Sequence, residues 1–555
     1  MKLLFVNSVV TGLKRRAAGR PRWQVGAVIA MAVLGSGVSA YALITSSGDR
    51  AIVDNVQGDT FQALGGHIVQ STLTNEVIAG QNAQAFQQAF ALGDGFFGAK
   101  FHAGDGGGAN VGVGERYTRM PRADLTGAGQ WATHTPARAT GPNATGCTGC
   151  HNLGGDDGGG DSAANVHRDA NHTKALNQMV QRNTPHVFGL GGLQKLAEEM
   201  TTDLQNARNA ARTALGCGST TTAGSKTVTL TSKGVAFGTL VITHTSGSTN
   251  CTEALSAPVS GGANAVSADL IVRPFQWKGA NAFIRDFVRG AAHNEIGMQT
   301  TELLGSPTVD PASVDGDGDG VTNEVFVGDM TALTLYQAAQ PRPTTRQELA
   351  SLGIIPALSS AETSAIAAGS TAFDSMGCST CHVRQLTVND VIFREPSNNP
   401  NFRDPGNVFP NGRSYGSSSL DINNPVSFDL TKDSPENNNI HTANGQTLGA
   451  FVRDSSGHAT VSLFGDLRRH DMGSGLAEEV DEIGTGKSVF ETENLWGVGS
   501  TPPYLHDGRA ASLTEAILEH GGEAQTARNN FAAASTTTQK NLVAFLNNLV
   551  LFKSE

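Results

Sequence analysis

The sequence predicts a mainly α-helical protein of two domains, with long loops and one small inserted β-hairpin. Three observations lead to this prediction. Apolar residues recur at helical spacing in several segments, the clearest of them 193–215. One short cysteine- and histidine-containing motif occurs in each half of the chain, at 147–151 and at 378–382. Between the two motifs, residues 226–245 alternate in the manner of two short strands.

Length and composition set the outer limits of the interpretation. A chain of 555 residues is long enough for two or three domains with cores of their own. We place an N-terminal domain at 46–345, with a β insert at 216–256, and a C-terminal domain at 346–555. Within the latter, residues 395–445 are rich in Asn, Pro, Ser and Gly and predict a long surface loop. The net charge of −11 makes nucleic acid a poor partner.

Both repeated motifs have the form Cys-x-x-Cys-His, which signals covalent attachment of c-type haem. The two thiols bond to the haem vinyl groups, and the adjacent histidine reaches the iron as an axial ligand. Two zinc sites are the alternative, but a cysteine and the histidine next to it cannot both point comfortably at one tetrahedral ion. The predicted cofactors are therefore two covalently bound haem c groups, held by Cys147, Cys150, His151, Cys378, Cys381 and His382.

The N-terminus predicts export. Basic residues at 14–22 precede an apolar run at 25–44, as in a secretory leader. Residues 40–42 offer a small-residue cleavage site, whereas an uncleaved run of this length would tether the chain to the membrane. We therefore predict that residues 1–45 are a signal peptide or a membrane anchor, and that the protein lies in the periplasm.

The two remaining cysteines, Cys217 and Cys251, bracket the β insert. A disulfide between them would suit an oxidising compartment, and two free buried thiols are the alternative. We predict the disulfide.

An oxygen-rich loop at 315–324 matches the start of a calcium-binding loop. Aspartates stand at its positions 1, 3 and 5, and glycine at position 6. Position 12 is Phe326 instead of glutamate, so a solvated acidic turn remains an alternative. The possible calcium ligands are Asp315, Asp317, Asp319 and Asn323.

Four further residues are candidates for the chemistry of the first motif. Trp277 could relay electrons, and Glu295 could act as a general acid or base, although core packing and solvation are the ordinary roles of such residues. His167 and His172 lie close enough along the chain to reach the open face of a haem on His151. An open distal face is the other possibility.

Several segments together resemble the di-haem oxidoreductase (putative peroxidase) family of the bacterial di-haem cytochrome c peroxidase superfamily. They are GPNATGCTGCH (141–151), RNTPHVFGLGGL (182–193), RPFQWKGA (273–280), DGDGDGVTNE (315–324), GCSTCH (377–382), FGDLRRHDMG (464–473) and LWGVGSTPPYLHDGRAASLTEAILEHGGEA (495–524). The last segment is the most specific.

The resemblance implies two cytochrome c-like haem domains that face each other. It implies that peroxide meets the N-terminal haem and that the C-terminal haem carries electrons. It also implies a tryptophan between the haems, at Trp277, a calcium ion between the domains, and a distal ligand to the second haem at His520. A second iron held by His382 and His520 would have a lower potential than one held by histidine and methionine.

The sequence therefore predicts a peroxidase-like oxidoreductase. Its substrate would be hydrogen peroxide or O₂, and its electron donor a small cytochrome or a quinol pathway. The alternatives are a di-haem electron-transfer cytochrome without a substrate site and an O₂-using oxygenase on the same scaffold.

Overall fold

The computed structural model describes residues 66–108, 116–122, 124–152, 166–256, 264–416, 419–432, 440–441 and 447–552. The predicted signal peptide or anchor at 1–45 lies outside these residues. Within them, no helix is both long and apolar enough to cross a membrane.

The fold is mixed α/β, so the prediction of a mainly α-helical protein with two cytochrome c-like domains is wrong. Helix accounts for 35% of the described residues and strand for 15%, distributed over several small sheets. Most of the strands are two to four residues long. Such strands are too short for alternation to be recognised in the sequence, and tertiary pairing across loops produces them.

The described α-helices vary from six to 25 residues. In chain order they are α1 (Gln70–Ile78), α2 (Asn82–Gly98), α3 (Leu190–Ala214), α4 (Ile284–Ala291), α5 (Val327–Ala338), α6 (Arg346–Ser351), α7 (Ser360–Ser375), α8 (Leu513–Glu519), α9 (Gln525–Ala533) and α10 (Thr536–Leu546). Helix α4 continues into one turn of π-helix over Ala292–Ile296.

The strands of the described residues form two- and three-stranded antiparallel sheets. In chain order they are β1 (Val166–Arg168), β2 (Val180–Arg182), β3 (Gly224–Ser232), β4 (Val235–His244), β5 (Cys251–Ser256), β6 (Thr344–Thr345), β7 (Leu386–Val388), β8 (Ile392–Glu395), β9 (Val426–Asp429), β10 (Ile440–His441), β11 (Thr447–Leu448), β12 (Val452–Arg453), β13 (Ala459–Val461), β14 (Arg469–Asp471), β15 (Val489–Glu491) and β16 (Leu549–Val550). The pairs are β1–β2, β3–β4–β5, β6–β16, β8–β9, β10–β11, β12–β13–β7 and β14–β15.

The inserted β element is a three-stranded sheet instead of the predicted hairpin. Strand β5 pairs with β4 along its whole length, from Thr239↔Ser256 to His244↔Cys251. A disulfide joins Cys217 to Cys251, with the two Cα atoms 5.7 Å apart. The bond connects the segment after α3 to the first residue of β5 and closes the sheet at one end.

The main hydrophobic core includes buried residues from Leu73 to Trp496, and so draws on both predicted domains. A second core packs α7 against α10 and includes Phe373, Phe531 and Phe545. The division at 345 and 346 stays a prediction.

The stretch 395–445, predicted as a surface loop, contributes buried side chains to the interior. Phe402, Phe409, Leu420 and Val426 are each less than 5% exposed.

A buried cluster of charges fixes α4 against the loop that follows β8. Arg285 donates to Glu395 at 2.9 Å, and Arg289 donates to Asp404 at 2.7 Å. Both arginines also bind Glu302, whose side chain is 0% exposed. Because each buried charge has an opposite partner, the attraction between the charges offsets the cost of removing them from water.

Candidate functional site

A cavity of 460 Å³ lies beside the second Cys-x-x-Cys-His motif. Its walls include Cys378, Cys381, His382, Trp277 and His520. This volume is in the range of small-molecule and cofactor sites. The structure thus brings together the second motif, the candidate relay tryptophan and the histidine that the resemblance indicated.

His382 and His520 face each other across this cavity. Their ring centres are 6.5 Å apart. A metal–imidazole bond is about 2 Å long, so two axial imidazoles on one metal ion have ring centres about 6 Å apart. The observed separation therefore fits one iron atom between the two rings.

The orientation of both rings is set by backbone carbonyls. His382 Nδ1 lies 3.2 Å from the oxygen of Phe464, and His520 Nδ1 lies 2.7 Å from the oxygen of Ala516. A carbonyl can only accept a hydrogen bond, so each Nδ1 carries the proton and each Nε2 is the nitrogen left to bind a metal.

Both rings are in the metal-binding protonation state at neutral pH. Burial, together with the neighbouring His520, lowers the pKa of His382 to about 4. Burial also lowers the pKa of His520, although the carbonyl of Ala516 acts in the opposite direction. Since a neutral imidazole is the form that binds a metal, the residues of this site fit a haem iron held by two histidines.

The cavity wall also carries acidic groups that the sequence analysis did not identify. Burial raises the pKa of Glu493 to about 7, and it raises that of Glu491 well above its usual range despite the nearby Arg469. The wall therefore holds carboxyl groups that keep a proton at a higher pH than exposed glutamates do. No local sequence pattern around residues 491–493 marks them.

His470 also lines this cavity, and the sequence did not indicate its role. Its Nε2 lies 3.0 Å from Asp466 and its Nδ1 lies 3.0 Å from Glu523. Burial would lower the pKa of His470, but the bonds to Asp466, Cys381 and Glu523 raise it to about 11. The FGDLRRHDMG segment was a signal for this site, but it did not indicate which residue contacts Cys381.

The first motif has the same local geometry as the second. Residues Cys147–Gly149 form one turn of 3₁₀-helix, and the amide of His151 donates to the carbonyl of Cys147 at 3.0 Å. In the second motif the amide of His382 donates to Cys378, also at 3.0 Å. The turn places both thiols and the imidazole of each motif close together, as attachment to one haem requires.

The surroundings of the first motif are apolar. Cys147 packs against the main core, and burial raises the pKa of its thiol to about 12. The ring of His151 lies 6.1 Å from that of Phe97, on α2. A bulky apolar group attached here would therefore continue the core instead of facing water.

Glu295 lies directly against the loop that leads to Cys147. Its backbone carbonyl accepts hydrogen bonds from the amides of Asn143 and Ala144, at 2.8 and 3.0 Å. Its carboxylate accepts one from the Asn143 side chain at 2.5 Å. Burial raises the pKa of Glu295, although Arg168, Asn143 and Thr140 oppose the rise. The residue belongs to the π-helical turn after α4, a type of irregularity that is frequent at functional sites.

The two histidines proposed for the distal face differ in their contacts. His172 stacks on Trp131 with ring centres 4.4 Å apart, and its Nε2 lies 2.8 Å from the carbonyl oxygen of Arg138. His167 lies in β1, and its buried Nδ1 has no hydrogen-bond partner among the described residues. These contacts favour His167 over His172 as a ligand, and the assignment stays a prediction.

Trp277 lies in the wall of the cavity, where its indole nitrogen donates to the carbonyl of Asn183 at 2.9 Å. Its own carbonyl accepts from the amide of Glu491 at 2.9 Å. The ring is therefore fixed by contacts with two segments that are distant in the sequence.

The acidic loop brings together three of the four predicted calcium ligands. Oxygen atoms of Asp315, Asp317 and Asp319 lie within 4.8 Å of one another. Neither carboxylate oxygen of the buried Asp317 has a hydrogen-bond partner among the described residues, and the same holds for Oε1 of the buried Glu324.

Glu324 was missing from the predicted ligand set, whereas nothing in the structure assigns a contact to Asn323. Burial raises the pKa of Asp317 to about 7, and burial with Asp317 raises that of Glu324 to about 10. Two buried carboxyl groups that repel each other are compatible with a cation between them. Arg138 and Arg116 also lie within 4 Å of Asp317 and Asp319, and offset part of this negative charge.

Comparison with known families identifies the segment that carries His520. Residues 437–549 match the family described as "Di-haem oxidoreductase, putative peroxidase". This match confirms the predicted resemblance. It includes His470, Glu491, Glu493 and His520, whereas both attachment motifs lie before it. The family's description indicates an oxidoreductase with haem cofactors and peroxidase-like activity. A search of curated proteins found no match.

Proposed function

We propose that this chain is an exported di-haem c-type oxidoreductase that reduces peroxide at the 147–151 motif with electrons relayed from the 378–382 motif. The observation that carries the proposal is the pair His382 and His520, 6.5 Å apart across a cavity that also exposes Cys378 and Cys381. Haem bound at both motifs would supply iron centres that accept and donate single electrons.

The two sites have different tasks in this proposal because their residues differ. At the second site, His382 and His520 would both hold the iron of a haem bound there, and this arrangement would favour electron transfer over substrate binding. Such a site suits electron storage, with the low potential that two imidazoles confer. At the first site, His151 would hold the iron of a bound haem, and Glu295 lies next to the loop that carries the motif.

Glu295 is the group that we propose to move a proton. Its raised pKa keeps the carboxyl group protonated over a wider pH range than an exposed glutamate, while Asn143 fixes its orientation. A positioned acid of this kind can protonate a peroxide oxygen as the O–O bond breaks. Trp277, in the wall of the cavity beside the second motif, is the proposed electron relay.

The acidic loop is the proposed calcium site, with Asp315, Asp317, Asp319 and Glu324 as its carboxylates. Its role would be structural, since Arg138 of this site also donates to the carbonyl of Gly297, two residues after Glu295. The proposed location is the periplasm, and the proposed electron donor is a small cytochrome or a quinol pathway.

The test uses the purified full-length holoprotein. We expect two haem groups per chain, a low-spin spectrum for the second site, and a high-spin component that appears at the latest on partial reduction. Peroxide should then oxidise a reduced small cytochrome in a catalytic reaction, and O₂ serves as the comparison substrate. A spectrum without any high-spin component, combined with absence of turnover, would instead support an electron-transfer cytochrome.

A further inference from the structure

A row of buried and partly buried side chains with alternating charge extends from Glu295 to Lys278, which follows Trp277 of the cavity wall. Each member contacts the next within 4 Å: Glu295 with Arg168 (3.8 Å), Arg168 with Glu482 (2.7 Å), Glu482 with Arg182 (2.7 Å), Arg182 with Glu478, and Glu478 with Lys278 (3.4 Å). We call these six residues the charge ladder. It connects the two sites, although its members come from segments far apart in the sequence.

Glu478 contacts both cations at the end of the charge ladder nearest the cavity, Arg182 and Lys278. Both of its carboxylate oxygens accept hydrogen bonds from the guanidinium group of Arg182. Its Oε2 also contacts the ammonium group of Lys278. The side chains of Glu478 and Lys278 are only 4% and 2% exposed, so water screens these attractions little.

These two cations flank the hydrogen bond that fixes Trp277. Arg182 precedes Asn183, whose carbonyl accepts the indole N–H, and Lys278 follows Trp277. Glu478 therefore holds together the two chain segments that meet at this bond. Removing its charge would deprive Arg182 and the buried Lys278 of the carboxylate that they share, and the loss of such a contact costs more at a buried site than at an exposed one.

The next acidic member, Glu482, has a lowered pKa. Burial alone would raise the pKa of Glu482, but Arg168 and Arg182 outweigh it and hold the pKa below its ordinary value. Arg168 in turn lies beside Glu295, so the attraction between neighbours continues to the first site.

We propose that Glu478 is a positioning residue for Trp277, and that the charge ladder fixes the indole in the cavity wall relative to Glu295. The electron transfer that this arrangement would serve rests on the proposed function. The position of the indole itself does not.

The first experiment measures the indole hydrogen bond directly in the full-length holoprotein. Glu478→Gln keeps the shape of the side chain and removes its charge. Its neighbour Glu479 is exposed, so Glu479→Gln is the matched control. Ultraviolet resonance Raman spectra report the hydrogen bond of the indole N–H, and a Trp277→Phe variant identifies the band of this residue. We expect the Trp277 band to shift in Glu478→Gln and to stay unchanged in Glu479→Gln.

The second experiment measures electron transfer between the haems after rapid reduction. A displaced donor or relay group can slow a reaction by about ten- to a hundredfold, and we expect a slowing of this order in Glu478→Gln. In a Trp277→Phe background the same substitution should have little further effect, because the two residues act through one contact. Glu482→Gln, which leaves the Arg182–Glu478 pair intact, should shift the Raman band in the same direction by less.

The outcomes separate this inference from the proposed function. An unshifted band in Glu478→Gln would overturn the positioning role, whatever the activity. Additive effects of Glu478→Gln and Trp277→Phe on the transfer rate would also overturn it. A wild-type protein that shows the Raman difference but no peroxide turnover would keep the positioning role and refute the peroxidase assignment.

Discussion

Replacing His520 by alanine is the sharpest test of the second site. The substitution removes one of the two imidazoles whose centres lie 6.5 Å apart, and leaves His382 in place. Since the chain has two attachment motifs, the change should affect one haem of two. We expect about half of the haem absorbance to change from a low-spin to a high-spin spectrum, and the potential of that haem to rise.

The other described histidines of the cavity wall are held by contacts of their own. His186 Nε2 lies 2.9 Å from the carbonyl of Trp496, and His470 lies between Asp466 and Glu523. The ring of His506 stacks on Phe490, 4.3 Å away. The vacated axial position should therefore stay open to small ligands, and added imidazole should restore the low-spin spectrum.

The assay is absorption and electron paramagnetic resonance spectroscopy of the oxidised protein, followed by a redox titration. His458→Ala is the control, because that side chain is 38% exposed and lies outside the cavity wall. A low-spin spectrum and potential that are the same in His520→Ala and wild type would refute the two-histidine assignment.

Four further predictions concern other parts of the molecule. Replacing Cys217 and Cys251 by serine removes a cross-link with a sequence separation of 34, which should lower the free energy of unfolding by about 4 kcal/mol. Backbone hydrogen exchange of residues 224–256 should accelerate, and an unchanged exchange rate would contradict the prediction. Glu302→Gln removes a fully buried charge between Arg285 and Arg289 and should lower the free energy of unfolding by about 3–5 kcal/mol in denaturant titrations; a loss below 1 kcal/mol would show that the cluster relaxes easily. Glu295→Gln should lower the rate of peroxide reduction by about 10²–10⁴-fold. It should also abolish the decline of the wild-type rate at high pH, because Glu295 loses its proton as the pH rises through its raised pKa. A variant with the wild-type rate and pH profile would exclude Glu295 as the acid. Without Ca²⁺, burial raises the pKa of Asp317 from 3.8 to about 7. The unfolded chain therefore releases this proton at a lower pH than the folded protein does, and the free energy of unfolding should fall as the pH rises through that interval. In thermal unfolding, added Ca²⁺ should reverse the trend in wild type but not in Asp317→Asn.

The sequence predicted those features that depend on residues close together in the chain, namely helices and the attachment motifs. Helix α7 begins at a local start signal, because Ser359 caps it and Glu362 completes the capping box. The helix predicted over 193–215 is α3, at Leu190–Ala214. The attachment motifs are recognisable for the same reason, since their spacing fits within one turn of chain.

The sequence did not predict the features that arise from tertiary contacts, namely the roles of three buried or partly buried glutamates and the shortest strands. Glu478 and Glu482 are ordinary acidic residues in the sequence, and only the approach of Arg168 and Arg182 from β1 and β2 gives them a role. Glu324 is one position past the ligand expected from the loop spacing, but burial beside Asp317 makes it part of the acidic site. Single-strand alternation cannot reveal β7, β12 and β13, because each has only two or three residues.

The walls of the cavity come from segments that are synthesised at very different times. Asn183 and Trp277 emerge early, the Cys378 motif later, and His520 with Leu542 and Leu546 of α10 almost last. A chain that ends before α8 would keep both attachment motifs but lack the opposing imidazole and one side of the enclosure. Truncated or nicked molecules would therefore differ in colour from complete ones, so the absorption spectrum of a preparation can serve as a measure of how much of it is full-length and correctly closed.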